Sequence, residues 1–278
     1  MLTKKAAQNT TLVKRFSREA RLAATIQHPN VVGVYDHGFE KNVHFLVMEY
    51  VKGGTLEDEI RKYGRLDWKL AADYIIQIAR ALDRLTEESI IHRDIKPANI
   101  LITADGVAKL ADLGLAKQED PETTVSLVTM AGAIMGSPAY MPPEQARDSS
   151  TVSYACDVYS LGATFYHCVV GKPPYQGRNA MAVLKEVLQG PPPEPKELEP
   201  SLPSGVNDLI MEMMAPVATQ RPQNPSEAIE ELSAVKEAPA GRRRRSRRKK
   251  KSSKGLLLAL ILLLLLVGAG CTAWYLGY

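Results

Sequence analysis

The last 24 residues, Gly255 to Tyr278, contain no charged side chain, and the stretch before them, Arg242 to Lys254, contains ten Lys or Arg and no acid. Leu256 to Val267 is an unbroken apolar run with no polar stripe to turn toward water, which rules out an ordinary surface helix. At about 1.5 Å per residue, a helix over this segment crosses a hydrocarbon core of roughly 30 Å. The sequence therefore predicts one membrane-crossing helix over 255–277, preceded by a linker and basic run over 237–254. Basic residues flanking a span stay on the cytoplasmic side, so residues before Arg242 are expected in the cytoplasm, against the inner face of the cell membrane. Ten cations at that position also favour contact with anionic lipid. Trp274, Tyr275 and Tyr278 would lie at the far interface.

Removing those ten charges from the formal +4 leaves −6 for the rest, so the basic character belongs to the tail and no nucleic-acid partner is expected. The whole chain has the 45% apolar and 24% charged content of a globular protein. Cys156, Cys168 and Cys271 are scattered and fit neither a metal site nor a disulfide framework. No internal repeat is visible. Folding is thus expected within residues 1–236.

Ile90 to Ile102 concentrates chemistry in one short loop. Asp94 supplies a base, Lys96 a cation and Asn99 an amide oxygen able to bind a hard metal ion. A hydroxyl attacking a γ-phosphate needs these three groups. Asn99–Ile102 and Val107–Ala111 read as two strands joined by Thr103-Ala104-Asp105-Gly106, an Asp-Gly hairpin. That hairpin would put Asn99 at its start and Asp112 just past its end, on one side.

The loop His92-Arg93-Asp94-Ile95-Lys96-Pro97-Ala98-Asn99 resembles the catalytic loop of protein kinases, and Asp112-Leu113-Gly114 resembles their metal-binding DFG motif. Phe45 to Val51 reads as a buried strand running into a hinge at Lys52-Gly53-Gly54. Gly136 to Glu144 is similar to the substrate-docking segment ending in APE, with Pro142 in place of the alanine. The resemblance implies a two-lobed α+β fold, with a small lobe over about 1–51 and a large lobe over about 52–236. It also implies ATP and Mg2+ as cofactors and protein Ser/Thr hydroxyls as acceptors, Lys96 separating the loop from those of tyrosine kinases.

By the same resemblance Asp94, Lys96 and Asn99 are catalytic, and Asn99 and Asp112 hold metal. Glu49 and Val51 meet adenine through their backbones with Met48 behind them, and Leu101 and Glu19 complete the nucleotide site. Arg93 is expected to bind a phosphate on the segment Leu115 to Met141, with Thr129 the chosen position. Asp157 would hold the catalytic loop's backbone, and Arg221 would pair with Glu144.

Residues Asn9 to Gln27 show helical periodicity, with Leu12, Phe16, Ala23 and Ile26 on one face and Glu19 in the same stripe. In kinases such a glutamate pairs with a strand lysine. The spacing places that lysine immediately before Met1, and no Gly-rich loop precedes the hinge. The expected fold therefore lacks the first strands of the small lobe. A membrane-bound pseudokinase or scaffold is the competing reading.

Overall fold

The computed structural model describes residues 10–41, 43–112, 137–147 and 152–237. The expected membrane segment, the basic run and most of the segment holding Thr129 lie outside the described residues. Among the described residues no helix is long and apolar enough to cross a membrane.

Helix α1, Thr10–Thr25, forms where the amphipathic period predicts one. Phe16, Ala20 and Ala23 are buried along it, and Ile26 is buried just past its end. The side chain of Glu19 lies outside the described residues. Strands β1, Val34–Glu40, and β2, Val43–Met48, form an antiparallel hairpin packed against α1. The Phe16 ring meets His44 edge-on at 6.2 Å.

The expectation of a buried strand over Phe45 to Val51 is corrected on two counts. The strand ends at Met48, and none of its residues is buried, with Val47 42% and Met48 36% exposed. A two-stranded sheet has only one face on the helix, so the other remains open.

A second sheet orders β3, Gly53–Thr55, β4, Ile100–Thr103, and β5, Ala108–Leu110, all antiparallel neighbours. The predicted hairpin exists, but Asn99 belongs to a 3-10 turn, Pro97–Asn99, and not to the strand. Pro97 cannot donate to a ladder, which delays pairing until Ile100. Strand β3 packs so tightly that a Cβ on Gly53 would stand 1.9 Å from the Ile102 carbonyl oxygen. Only glycine fits there.

The two sheets are stitched together at Leu110. Its N–H donates to the Asn30 carbonyl at 2.8 Å, and its carbonyl accepts from Val32 at 2.9 Å.

The large lobe is helical. After α2, Leu56–Tyr63, comes α3, Trp68–Glu87, capped by Asp67, whose carboxylate accepts from Lys69 and Leu70 N–H. Its Ala71, Ile75, Ile78, Leu82 and Leu85 are fully buried or nearly so. Short α4, Pro143–Arg147, precedes α5, Tyr154–Val170, which is buried almost all round, with Asp157, Ser160 and Thr164 among its buried positions. Gly171 ends it in the left-handed region at φ 79°. Helices α6, Ala180–Gln189, α7, Pro195–Leu198, α8, Ser204–Met213, and α9, Pro225–Glu237, follow. Helix α3 packs on both α5 and α9, and this packing carries the core of the large lobe.

Candidate active site

Asp157, in the first turn of α5, is buried, and its carboxylate accepts from two consecutive backbone groups, His92 N–H and Arg93 N–H, each at 2.8 Å. Burial pushes its pKa up, while the neighbouring His92 and the two N–H donors favour the charged form. This grip holds Arg93 at φ 64°, an uncommon backbone conformation for a non-glycine residue. The Arg93 carbonyl accepts from Gln145 Nε2 at 3.3 Å, which ties α4 to the same loop.

His92 is fully enclosed and braces the next turn. Asp94 N–H donates to its Nδ1 at 3.3 Å, so the ring proton sits on Nε2, which meets the Ala111 carbonyl at 3.1 Å. Burial lowers the His92 pKa, consistent with a neutral ring in that role.

Three of the candidate residues lie together. Lys96 Nζ lies 3.1 Å from Asp94 Oδ2. Asn99 Nδ2 donates to the Asp94 carbonyl at 2.8 Å and to Oδ2 at 3.1 Å. One carboxylate is thus oriented by a cation and an amide from its own loop. The Asn99 carbonyl accepts from Ala111 N–H at 2.9 Å, which brings the chain at Asp112 beside Asn99. Asp112 follows at φ 55° with an exposed side chain. A carboxylate and an amide oxygen are the ligand types magnesium takes, so the donor set fits that ion.

At the hinge the expectation is refined. Glu49 N–H donates to the Gly33 carbonyl at 2.8 Å, so only its carbonyl and the Val51 backbone are left to meet a purine. Leu101 pairs with Thr55 on one side and Lys109 on the other, at the centre of the three-stranded sheet. Sequence reasoning passed over Lys109, whose Nζ lies 2.8 Å from Glu49 Oε1. It missed Gln145 too.

The Glu144–Arg221 pair forms as expected, two-pronged at 2.6 and 2.8 Å, with Arg221 3% exposed and stacked 4.8 Å over the Tyr159 ring. Its remaining donors reach the Ala215, Pro216 and Ala155 carbonyls. Arg93 Nε is buried with no hydrogen-bond partner among the described residues. Thr129 lies outside them. The histidines form no metal cluster with other ligating groups among the described residues.

A model of the protein kinase domain matches residues 1–233. The chain belongs to the protein kinase family. It is 38% identical over 231 residues to a probable serine/threonine-protein kinase of Clostridium perfringens, covering 83% of this chain and 33% of that protein. Similarity to the serine/threonine-protein kinase PrkC of Bacillus subtilis is 36% over 209 residues, covering 75% of this chain and 32% of PrkC. PknA of Mycobacterium tuberculosis is 40% identical over 203 residues, covering 71% and 45%. The chain spans about a third of the length of the first two relatives. The solved kinase domain of Mycobacterium tuberculosis PknI matches in fold, with a TM-score of 0.65 at 23% identity over 84% of this chain and 83% of that one.

Proposed function

We propose that this kinase domain transfers the γ-phosphate of ATP to serine or threonine hydroxyls of proteins. The observation that carries the reading is the Asp94 carboxylate, held by Lys96 and Asn99 within one loop. Asp94 orients the acceptor hydroxyl and takes its proton as the oxygen attacks the γ-phosphorus. The bond to the β-phosphate oxygen breaks, and ADP leaves. Lys96 stands where its charge offsets that building on the γ-phosphate oxygens. Asn99 and Asp112 would hold magnesium, which when bound neutralises the phosphates. The hinge carbonyl of Glu49, the Val51 backbone and Leu101 frame the purine. Glu19 is assigned to the phosphate side by resemblance.

The test is phosphoryl transfer by the full-length protein from γ-labelled ATP to a generic acceptor protein, followed by identification of the labelled amino acid. Asp94→Asn is expected to lower turnover by at least about a hundredfold. Label on tyrosine, or turnover indifferent to Asp94→Asn, would refute the reading.

Membrane attachment through 255–277, with the kinase domain cytoplasmic and Arg242 to Lys254 against anionic lipid, belongs to the same proposal. Its support is the charge-free run behind ten cations. Regulation is proposed through Arg93, whose buried Nε suits a phosphate on Thr129.

A further inference from the structure

Lys109 stands in the cleft, and no step above uses it. It lies on β5 directly across the ladder from Leu101, while its neighbours Ala108 and Leu110 are buried in the core. Directly opposed residues of an antiparallel pair share a face, so Lys109 and Leu101 sit together on the cleft side. Lys109 Nζ is 2.8 Å from Glu49 Oε1 and 3.1 Å from Oε2.

The same carboxylate accepts the Gly33 N–H at 3.1 Å, while Glu49 N–H returns a bond to the Gly33 carbonyl. Three segments remote in sequence therefore meet on one side chain: the chain leading into β1, the hinge, and the sheet of the large lobe. The two partners are only 16% and 26% exposed, where water screens an ion pair less than at the surface. Burial alone would raise the Glu49 pKa, but the bonds from Lys109 and Gly33 hold it below the usual carboxylate range.

We propose that Lys109 is a positioning residue for the purine: through the Glu49 carboxylate it fixes the hinge backbone at the level of Leu101, so that the slot is formed before nucleotide arrives. The inference rests on the nucleotide-binding reading above. A slot set in advance spares the nucleotide the ordering of the hinge, and that saving appears as affinity. The rival role for a cleft lysine is direct contact with phosphate. Lys109 is instead paired with the Glu49 carboxylate at the hinge. The Glu49 backbone touches the purine in this scheme; Lys109 touches only Glu49.

Adenosine separates the two roles, because it has the purine and no phosphate. Dissociation constants for adenosine and for Mg-ATP are measured by calorimetry on the full-length protein, its Lys109→Met and Lys109→Arg variants, and the Glu49→Lys/Lys109→Glu exchange. KM for ATP and kcat are read alongside. Lys109→Met is expected to weaken adenosine and Mg-ATP by the same factor, about tenfold, and to raise KM more than it lowers kcat. Lys109→Arg should restore both ligands to within about twofold, since a guanidinium still spans the carboxylate. If Lys109→Met does not fold, the exchange variant carries the test, with recovery of adenosine affinity expected relative to Glu49→Lys alone.

Loss confined to Mg-ATP, with adenosine unchanged, would overturn the inference in favour of a phosphate contact. Unchanged affinity for both ligands would overturn it as an idle pair. Either result leaves the kinase reading intact. A wild-type protein that binds neither ligand would overturn that reading and this inference with it.

Discussion

Tyr140 and His167 are joined by a 2.7 Å hydrogen bond between the phenol oxygen and Nδ1, linking the docking segment to the central helix α5. Burial drives the His167 pKa from 6.5 down to about 4, so the ring is neutral near pH 7. Between those two values the unfolded chain binds a proton that the folded chain refuses. Stability from this group is therefore complete above pH 6.5 and falls as pH drops toward 4. The bound is about 3 kcal/mol, reduced to roughly 2 because the ring is only partly buried. His92, lowered in the same direction by burial, adds to the loss. Thermal melts at pH 7.5, 5.5 and 4.5 check this, and His167→Gln should flatten the profile without abolishing it.

Asp157→Asn is expected to damage turnover more than folding. An amide can accept only one of the two N–H bonds now made to His92 and Arg93, leaving a buried donor unpaired at a cost of about 1–3 kcal/mol. The same change frees Arg93 from φ 64° and lets Asp94 drift. Kinetics should show kcat falling well beyond the change in folded fraction, with KM for ATP nearly constant. A melting shift with proportionate kcat would contradict it.

For Glu144 and Arg221 the cost depends on whether one partner or both are replaced. Glu144→Gln leaves the Arg221 guanidinium buried against a neutral amide, and a broken buried pair costs about 3–5 kcal/mol. Replacing both, as Glu144→Gln with Arg221→Met, should recover part of that loss because no charge is then stranded. Denaturant midpoints of the three variants measure the difference. A double variant no more stable than Glu144→Gln alone would reject it.

Salt distinguishes the two attachments proposed for the tail. Each Lys or Arg near an anionic surface contributes ~1 kcal/mol before screening, whereas the Leu-rich run is held by apolar burial. Washing membranes at high salt should leave the protein in the pellet. Protease added to right-side-out vesicles should leave the kinase domain intact. Release by salt, or digestion from outside, would refute the anchor.

The parts of this molecule legible in its sequence are those fixed by local chemistry. Asp94, Lys96 and Asn99 lie within six positions, and Asp67 caps the helix it precedes, so neighbouring residues announce them. Glu144 with Arg221 and Asp157 with the loop were reachable only through resemblance, since 77 and about 65 residues separate the partners. Lys109 was hidden because an alternating strand position says nothing about what lies across the cleft. Strand β3 was hidden for a different reason: Gly53-Gly54 has no strand preference, and the pairing arises from close approach to Ile102. The exposure of β2 depends on what covers its outer face, which alternation in Phe45 to Val51 does not encode.

The pairing of β4 with β5 carries a consequence for where this domain can accept an added residue. Asn99, Leu101, Lys109 and Asp112 all take their bearings from one ladder, in which Ile100 faces Leu110 and Ile102 faces Ala108. Strand side chains alternate, so one residue inserted within either strand would send Leu101 or Lys109 into the core and move Asp112 out of step with Asn99. The turn between the strands has no such duty. Ala104 and Asp105 are exposed, and Gly106, at φ 80°, is the one turn position to leave as it is. An epitope or fluorophore grafted at that turn would sit a few residues from Asn99 and Asp112 and leave their alignment untouched.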